Sequence, residues 1–373
     1  MIRVWSRRLA LVSLLMAVAA SSCKGKNVPP QARPKPKTAY DYPLRTVVVQ
    51  QREIKDWEFS SFGVLPKAFT KTKELPPEPL VSLGRMLFYE TRLSKSQEIS
   101  CNDCHDLADY GMDGQAFSIG HDGQSGKRNA PSVYNAAGHG MQFWDGRVDT
   151  IERQAKFPVL DPLEMAMPNE ERILEVLRSI PEYVTAFKAA FPDAAEAISV
   201  ENFGKALGAF QRGLVTPSRW DQFRGGDRNA ISPAELLGFQ TFSQVGCPEC
   251  HSGTLVGGSI LETLGRSRPW PNQQDTGREQ ATRDKSQRMR FKTASLRNIE
   301  KTGPYFHDAS STTLDDAVGR MAVHQLGVQL QPEQVTAIVA WLKTLTGEID
   351  QKYIAEPKLP QSTAATPKPD KTL

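Results

Sequence analysis

The chain has 373 residues, 39% of them hydrophobic, and a formal net charge of +4. That length exceeds one ordinary core and points to two domains. Three of the four net charges sit on Arg3, Arg7 and Arg8, in a segment expected to be removed, so the mature chain is near neutral and the balance argues against a nucleic-acid partner.

Residues 1–22 read as a secretory signal. A basic start precedes the apolar run Leu9 to Ala20, which is too short to span a bilayer stably. Ala20-Ser21-Ser22-Cys23 then resembles a bacterial lipoprotein signal, in which Cys23 would be lipidated. Residues 23–75 are expected to form a tether. Their first part is rich in Pro and Lys without apolar period, and the strand-like run Thr46-Val47-Val48-Val49 has no evident purpose.

Helical signals begin at Pro79, where Leu80, Leu83, Met86 and Leu87 share a face. A first Cys-x-x-Cys-His motif follows at Cys101, Cys104 and His105. Further helices read at about 169–191, broken at Pro181, and at 199–214 with Ser199 as cap. Ser232-Pro233-Ala234-Glu235 is a capping box with Pro at the first helical position. It opens a helix through Phe242 that delivers a second motif, Cys247, Cys250 and His251. Thr313 starts another helix, and Pro332 to Leu345 is a final amphipathic one. No alternating stretch of strand length recurs, so the class is mainly α with long loops. Residues 351–373 are rich in Pro, Lys and Thr and are expected to lack structure.

Four of the five cysteines belong to the two motifs, which leaves no pair for a disulfide. Two cysteines followed at once by histidine hold a c-type haem: the thiols add to the vinyl groups and the imidazole binds iron. A zinc knuckle would need further ligands from elsewhere. Two c-type haems are therefore expected. Such attachment takes place outside the bacterial inner membrane, which agrees with the signal segment.

Over residues 76–350 the chain resembles the bacterial di-haem cytochrome c peroxidases, the group that also includes MauG. The resemblance rests on Ser100-Cys101-Asn102-Asp103-Cys104-His105, Arg128-Asn129-Ala130-Pro131-Ser132, Phe143-Trp144-Asp145-Gly146-Arg147 and Asp161-Pro162-Leu163-Glu164-Met165. It continues in Ser295-Leu296-Arg297-Asn298, Gly303-Pro304-Tyr305-Phe306-His307-Asp308, and Met321 with Gln325-Leu326-Gly327. It implies two cytochrome-c-like helical domains, each with one covalently bound haem. An N-terminal peroxidatic domain would span 76–218 and a C-terminal electron-transfer domain 219–350.

The resemblance also assigns roles. His105 and His251 would be proximal ligands. His121, in a glycine-flanked loop, would be a removable distal ligand of the first haem. Met321 would be the distal ligand of the second, where a thioether raises the potential above that of bis-histidine ligation. Glu164 would be the acid–base residue over the first haem, with Gln154 as a polar neighbour. Trp144 would carry electrons between the haems. Asn129, Thr302 and Pro304 would hold calcium through an amide oxygen and two carbonyls. His139 is expected at the surface, His324 in the pocket wall, and His307 in a structural role.

The implied function is reduction of hydrogen peroxide by electrons from a small periplasmic donor, a cytochrome c or a cupredoxin. The implied assembly is a homodimer, tethered to a membrane if Cys23 is lipidated. Three alternatives stand beside it. One is a MauG-like oxidase of a protein or other substrate, against which Met321 speaks because MauG carries tyrosine there. The others are a di-haem electron carrier and a haem-based sensor, neither of which uses an acid–base residue such as Glu164.

Overall fold

Two crossing helix pairs organise the chain. Helix α1 (Glu78–Phe88) packs on α4 (Val200–Gln211), and α5 (Pro233–Val245) packs on α7 (Pro332–Lys343). Each crossing is close because a glycine sits at it. A Cβ on Gly84 would lie 1.9 Å from the Ala206 carbonyl oxygen, and one on Gly238 would lie 2.0 Å from that of Ala337. The computed structural model describes residues 43–372; the expected signal segment and Cys23 lie outside them.

The helices start where their caps predict. Ser199 accepts from Asn202 N, and Ser232 with Glu235 forms the expected reciprocal box. The pattern at 169–191 divides into α2 (Glu170–Arg178) and α3 (Pro181–Ala190), with Pro181 opening the second. Thr313 caps α6 (Leu314–Met321). Among the described residues, paired strand is confined to β1 (Leu261–Thr263) and β2 (Arg290–Lys292), antiparallel with Leu261 opposite Lys292. The mainly helical class is as expected.

The apolar faces close two separate clusters. The first gathers Leu83, Leu87, Tyr183, Phe187, Phe203 and Phe210. The second gathers Phe59, Phe62, Trp220, Phe239, Phe242 and Trp341. Within it Phe59 stacks on Phe239 at 4.9 Å, and Phe242 meets Trp341 at 4.5 Å. Burying each such side chain contributes roughly 1.5–3 kcal/mol.

Two terminal stretches differ from their reading by composition. Residues 43–75 are not a tether: Phe59 and Phe62 fill the second cluster, and Arg45 pairs with Val328. Residues 351–372 run back across the first cluster. Ile354 packs into it, Arg92 holds the Pro360 carbonyl at 2.9 Å, and Gln97 donates to that of Pro367 at 2.8 Å. This tail is ordered by hydrogen bonds from other parts of the chain, which its own apolar content does not reveal.

A structural repeat links the halves. Asn135 and Asn298 both adopt φ of 60°, and each opens a short helical turn. Phe143 and Phe306 then adopt φ of 66° and 72°, inside reversals closed by the Gln142–Val148 and Tyr305–Ser311 bridges. Thr150 and Thr313 cap the helices that follow. The spacing between counterparts is constant, and it pairs Trp144 with His307.

Candidate di-haem site

The first motif is a capped helical turn. Ser100 N donates to Asp103 Oδ2 at 2.7 Å, which holds Cys101–Cys104 in place, and His105 N donates to the Cys101 carbonyl at 3.0 Å. His105 Nδ1 faces the Gly111 carbonyl at 3.3 Å, which orients the ring and leaves Nε2 for a metal. Burial lowers the His105 pKa, against the pull of that carbonyl, and so favours the neutral ligand form. Burial also pushes Cys101 up to about 12 and Cys104 up to about 11. Thiols held protonated are poorly suited to redox exchange, so the dithiol reading loses ground.

The second motif repeats these features. His251 N donates to the Cys247 carbonyl at 3.0 Å, and burial pushes Cys247 up to about 12 and His251 down to about 4. Cys247, Cys250 and His251 line a cavity of about 260 Å³, with Met321 also in its wall beside Leu264, Leu296 and Val318. Met321 ends α6 where the chain widens into a π-helical turn, Ala322–Leu326, a feature frequent at functional sites. His324 is fixed behind it, with Nδ1 facing the carbonyls of Arg268 and Pro269 at 3.2 and 3.0 Å. An apolar cavity carrying two thiols, an imidazole and a thioether fits a covalently attached haem.

His121 and Glu164 lie side by side. His121 N donates to the Glu164 carbonyl at 2.7 Å. A Cβ on Gly120 would stand 2.0 Å from the Leu163 oxygen, so only glycine allows this approach. The His121 ring is buried; its Nε2 faces the Thr372 carbonyl at 2.9 Å and its Nδ1 has no partner among the described residues. The Glu164 side chain is exposed. Desolvation, and then the Asp161 charge, push its carboxyl up to about 7, while Arg147 opposes them. Glu164 is also near enough to raise both Cys101 and Cys104. Gln154 is half-buried at the end of the short helix Ile151–Gln154, without a side-chain hydrogen bond.

Trp144 joins the two regions. Its Nε1 donates to the Asn129 carbonyl at 2.9 Å, and its ring meets His307 edge-on at 6.3 Å. His307 is buried, stacked on Phe291 at 4.2 Å. Asn129 Nδ2 donates to the carbonyls of Gln115 and Ala116, so its amide oxygen is the end left free. Asn129, Thr302, Pro304 and Trp144 all line the same cavity as Met321.

Other groups escaped the sequence reading. Arg297, of the Ser-Leu-Arg-Asn segment, forms a buried bidentate pair with Asp221 at 2.6 and 3.0 Å. Arg128 bridges Asp275 and Asp145, each at 2.6 Å. His139 is not a surface histidine: it is partly buried and bonded to Lys292. The repeated Asn and Phe-x-Asp positions are the signal that would have drawn attention to these segments.

Comparison with known proteins adds four relations. A family model described as di-haem cytochrome c peroxidase matches residues 78–229. The chain is 41% identical over 317 residues to cytochrome c551 peroxidase of Nitrosomonas europaea, covering 83% of this chain and 93% of that one. It is 38% identical over 331 residues to cytochrome c551 peroxidase of Pseudomonas aeruginosa, covering 87% and 94%. Among solved structures, a MauG-like protein associated with microbial copper homeostasis aligns with a TM-score of 0.68 at 29% identity, covering 79% of this chain and 97% of that one.

Proposed function

Because the chain belongs to the di-haem cytochrome c peroxidase family, we propose that hydrogen peroxide is reduced beside Glu164 with electrons that enter at the Met321 site. Each peroxide takes two electrons and two protons and leaves as two waters. The donor is a small periplasmic redox protein, a cytochrome c or a cupredoxin. The two haems, attached through Cys101 and Cys104 and through Cys247 and Cys250, supply the redox-active iron. Two haem domains, 76–218 and 219–350, fit the two hydrophobic clusters and the repeated turn; Val47, Ile54, Phe59 and Phe62 join the second.

The chain's residues divide the work. His105 and His251 would hold the irons. Met321, a thioether rather than a tyrosine, suits an electron store and separates this chain from MauG-type chemistry. The His121 loop gates the first site. Its Nε2 is turned to Thr372 here, so ligation through Nε2 requires the end of the tail to move away. Glu164, poised near neutrality, takes a proton from the bound peroxide and returns it to the departing oxygen. Gln154 adds a polar contact. Trp144 shortens the electron path. Asn129, Thr302 and Pro304 offer calcium one amide oxygen and two carbonyls, with water completing the shell. Periplasmic placement, a lipid anchor at Cys23 and a homodimer complete the reading; among the described residues no helix is long and apolar enough to cross a membrane.

The observation that carries this reading is the contact of the His121 loop with Glu164 beside the first motif. Its test is peroxide-dependent oxidation of a reduced small cytochrome c, with calcium present. Fully oxidised and half-reduced enzyme are compared. Turnover confined to the half-reduced form supports both the peroxidase and the gate. Turnover in both forms removes the gate. Turnover in neither leaves the MauG-like or electron-carrier reading.

A further inference from the structure

The wall of the second cavity holds a buried lysine that makes no ion pair among the described residues. Lys292 ends β2 and is 8% exposed. Its Nζ lies 3.0 Å from His139 Nδ1. An ammonium can only donate, so Nδ1 accepts, and His139 is neutral with its proton on Nε2. That Nε2 is buried and has no partner. One Lys292 proton is placed by this bond; the other two meet no acceptor among the described residues.

Among the described residues no hydrogen bond or ion pair joins Lys292 to a carboxylate; Glu262, which also lines the cavity, accepts from Thr263 N and pairs with Arg266. Asp145 is the one whose charge Lys292 feels, but Arg128 and Arg147 hold its Oδ2 at 2.6 and 2.8 Å, and Arg147 also reaches Oδ1 at 3.1 Å. Arg128 also holds Asp275. Arg128, Arg147 and Lys292 thus face Asp145 and Asp275, which leaves one positive charge in excess. Burial pushes the Lys292 ammonium down to about 8, and burial followed by the Lys292 charge holds His139 well below the usual imidazole range. A buried ammonium without a counter-ion is costly, and an anionic group bound in the cavity would offset that cost.

Geometry says where that ligand lies. Lys292 and His139 both line the cavity that contains Cys247, Cys250, His251 and Met321. The His139 ring rests on Gly258, in the loop just after His251, where an added Cβ would stand 2.5 Å from Cδ2. Lys292 N donates to the Trp144 carbonyl at 2.6 Å, which fixes the backbone beneath the ammonium.

We propose that Lys292 is the counter-ion for a propionate carboxylate of the haem in the second site, with His139 as the positioning residue that aims the ammonium. His139 Nε2 gives the same ligand a further donor. This rests on the reading that the Cys247–His251 motif holds haem. It adds a binding pair that the motif does not contain, and it places the carboxylate edge of that haem on the Trp144 side.

The experiment uses the full-chain holoenzyme and reads the propionate bending bands in the resonance Raman spectrum, together with the potential of the second haem. In Lys292→Met a propionate band of one haem shifts and that haem's potential falls, because a neighbouring cation is gone. Lys292→Arg restores both in large part. Unchanged bands in Lys292→Met overturn the proposal. If that variant does not retain two haems, His139→Leu carries the test: it keeps the ammonium but frees it, so a smaller shift in the same band is expected, and an unchanged band overturns the assignment. A wild-type chain holding fewer than two thioether-bound haems would instead defeat the underlying haem reading.

Discussion

His121 N donates to the Glu164 carbonyl at 2.7 Å, so the His121 loop and the Glu164 loop are joined through their backbones. Gly120 makes this possible by letting the backbone reach Leu163 and Glu164. Under the proposed function, a movement of the His121 loop that opened the first site would also displace Glu164 and tie proton supply to opening.

The first prediction concerns pH. Glu164 must be ionised to accept the peroxide proton, and its carboxyl is raised to about 7 by desolvation and by Asp161. Activity as kcat/KM should therefore rise with pH through about 7 and then level. Asp161→Asn keeps the oxygen that accepts from Leu163 N but removes the like charge, so this limb should move to lower pH. A limb that stays in place in Asp161→Asn would assign the titration to another group.

Met321→His replaces a thioether with an imidazole. The potential of the second haem should fall, and mild reductants should no longer convert the enzyme to the half-reduced form. Spectroelectrochemical titration reads this directly. An identical titration in the variant would mean that Met321 is not an iron ligand.

The Arg297–Asp221 pair is a stability element. Arg297→Met leaves the Asp221 carboxylate buried among Ser218 and Leu65 N–H groups without its cation. A loss of about 3–5 kcal/mol is expected in urea unfolding. A change under about 1 kcal/mol would show that water reaches Asp221 and compensates it.

The tail should restrain the His121 loop. Asp370 N bonds the Lys95 carbonyl at 2.9 Å, and Thr372 O reaches both Lys95 Nζ and His121 Nε2. Removing residues 357–373 should speed amide hydrogen exchange at Gly120–Gly123 several-fold. Equal exchange rates in the full and shortened chains would show that Thr372 does not hold the loop.

Much of this was legible before any coordinates. Ser199, Ser232, Thr313 and Pro181 mark helix starts through chemistry local to each position, and the two Cys-x-x-Cys-His segments announce themselves by spacing. The tail was not legible, because its order comes from Arg92, Gln97 and Lys95, far away in sequence. Phe59 and Phe62 looked like isolated aromatics in a polar stretch until Trp220, Phe239 and Trp341 surrounded them. His139 and Lys292 meet only through tertiary folding. The repeat is a signal that the sequence reading missed: Asn135 with Asn298, and Phe143 with Phe306, stand at constant spacing in the sequence.

The measurement that bears most directly on the central claim is steady-state peroxide reduction by Glu164→Gln, with a reduced small cytochrome c as donor. Both haem spectra should remain nearly those of the parent, while kcat/KM for peroxide falls on the order of 10²–10⁴-fold and the pH limb near 7 disappears. Full activity with the limb intact would contradict the account and remove Glu164 from the chemistry.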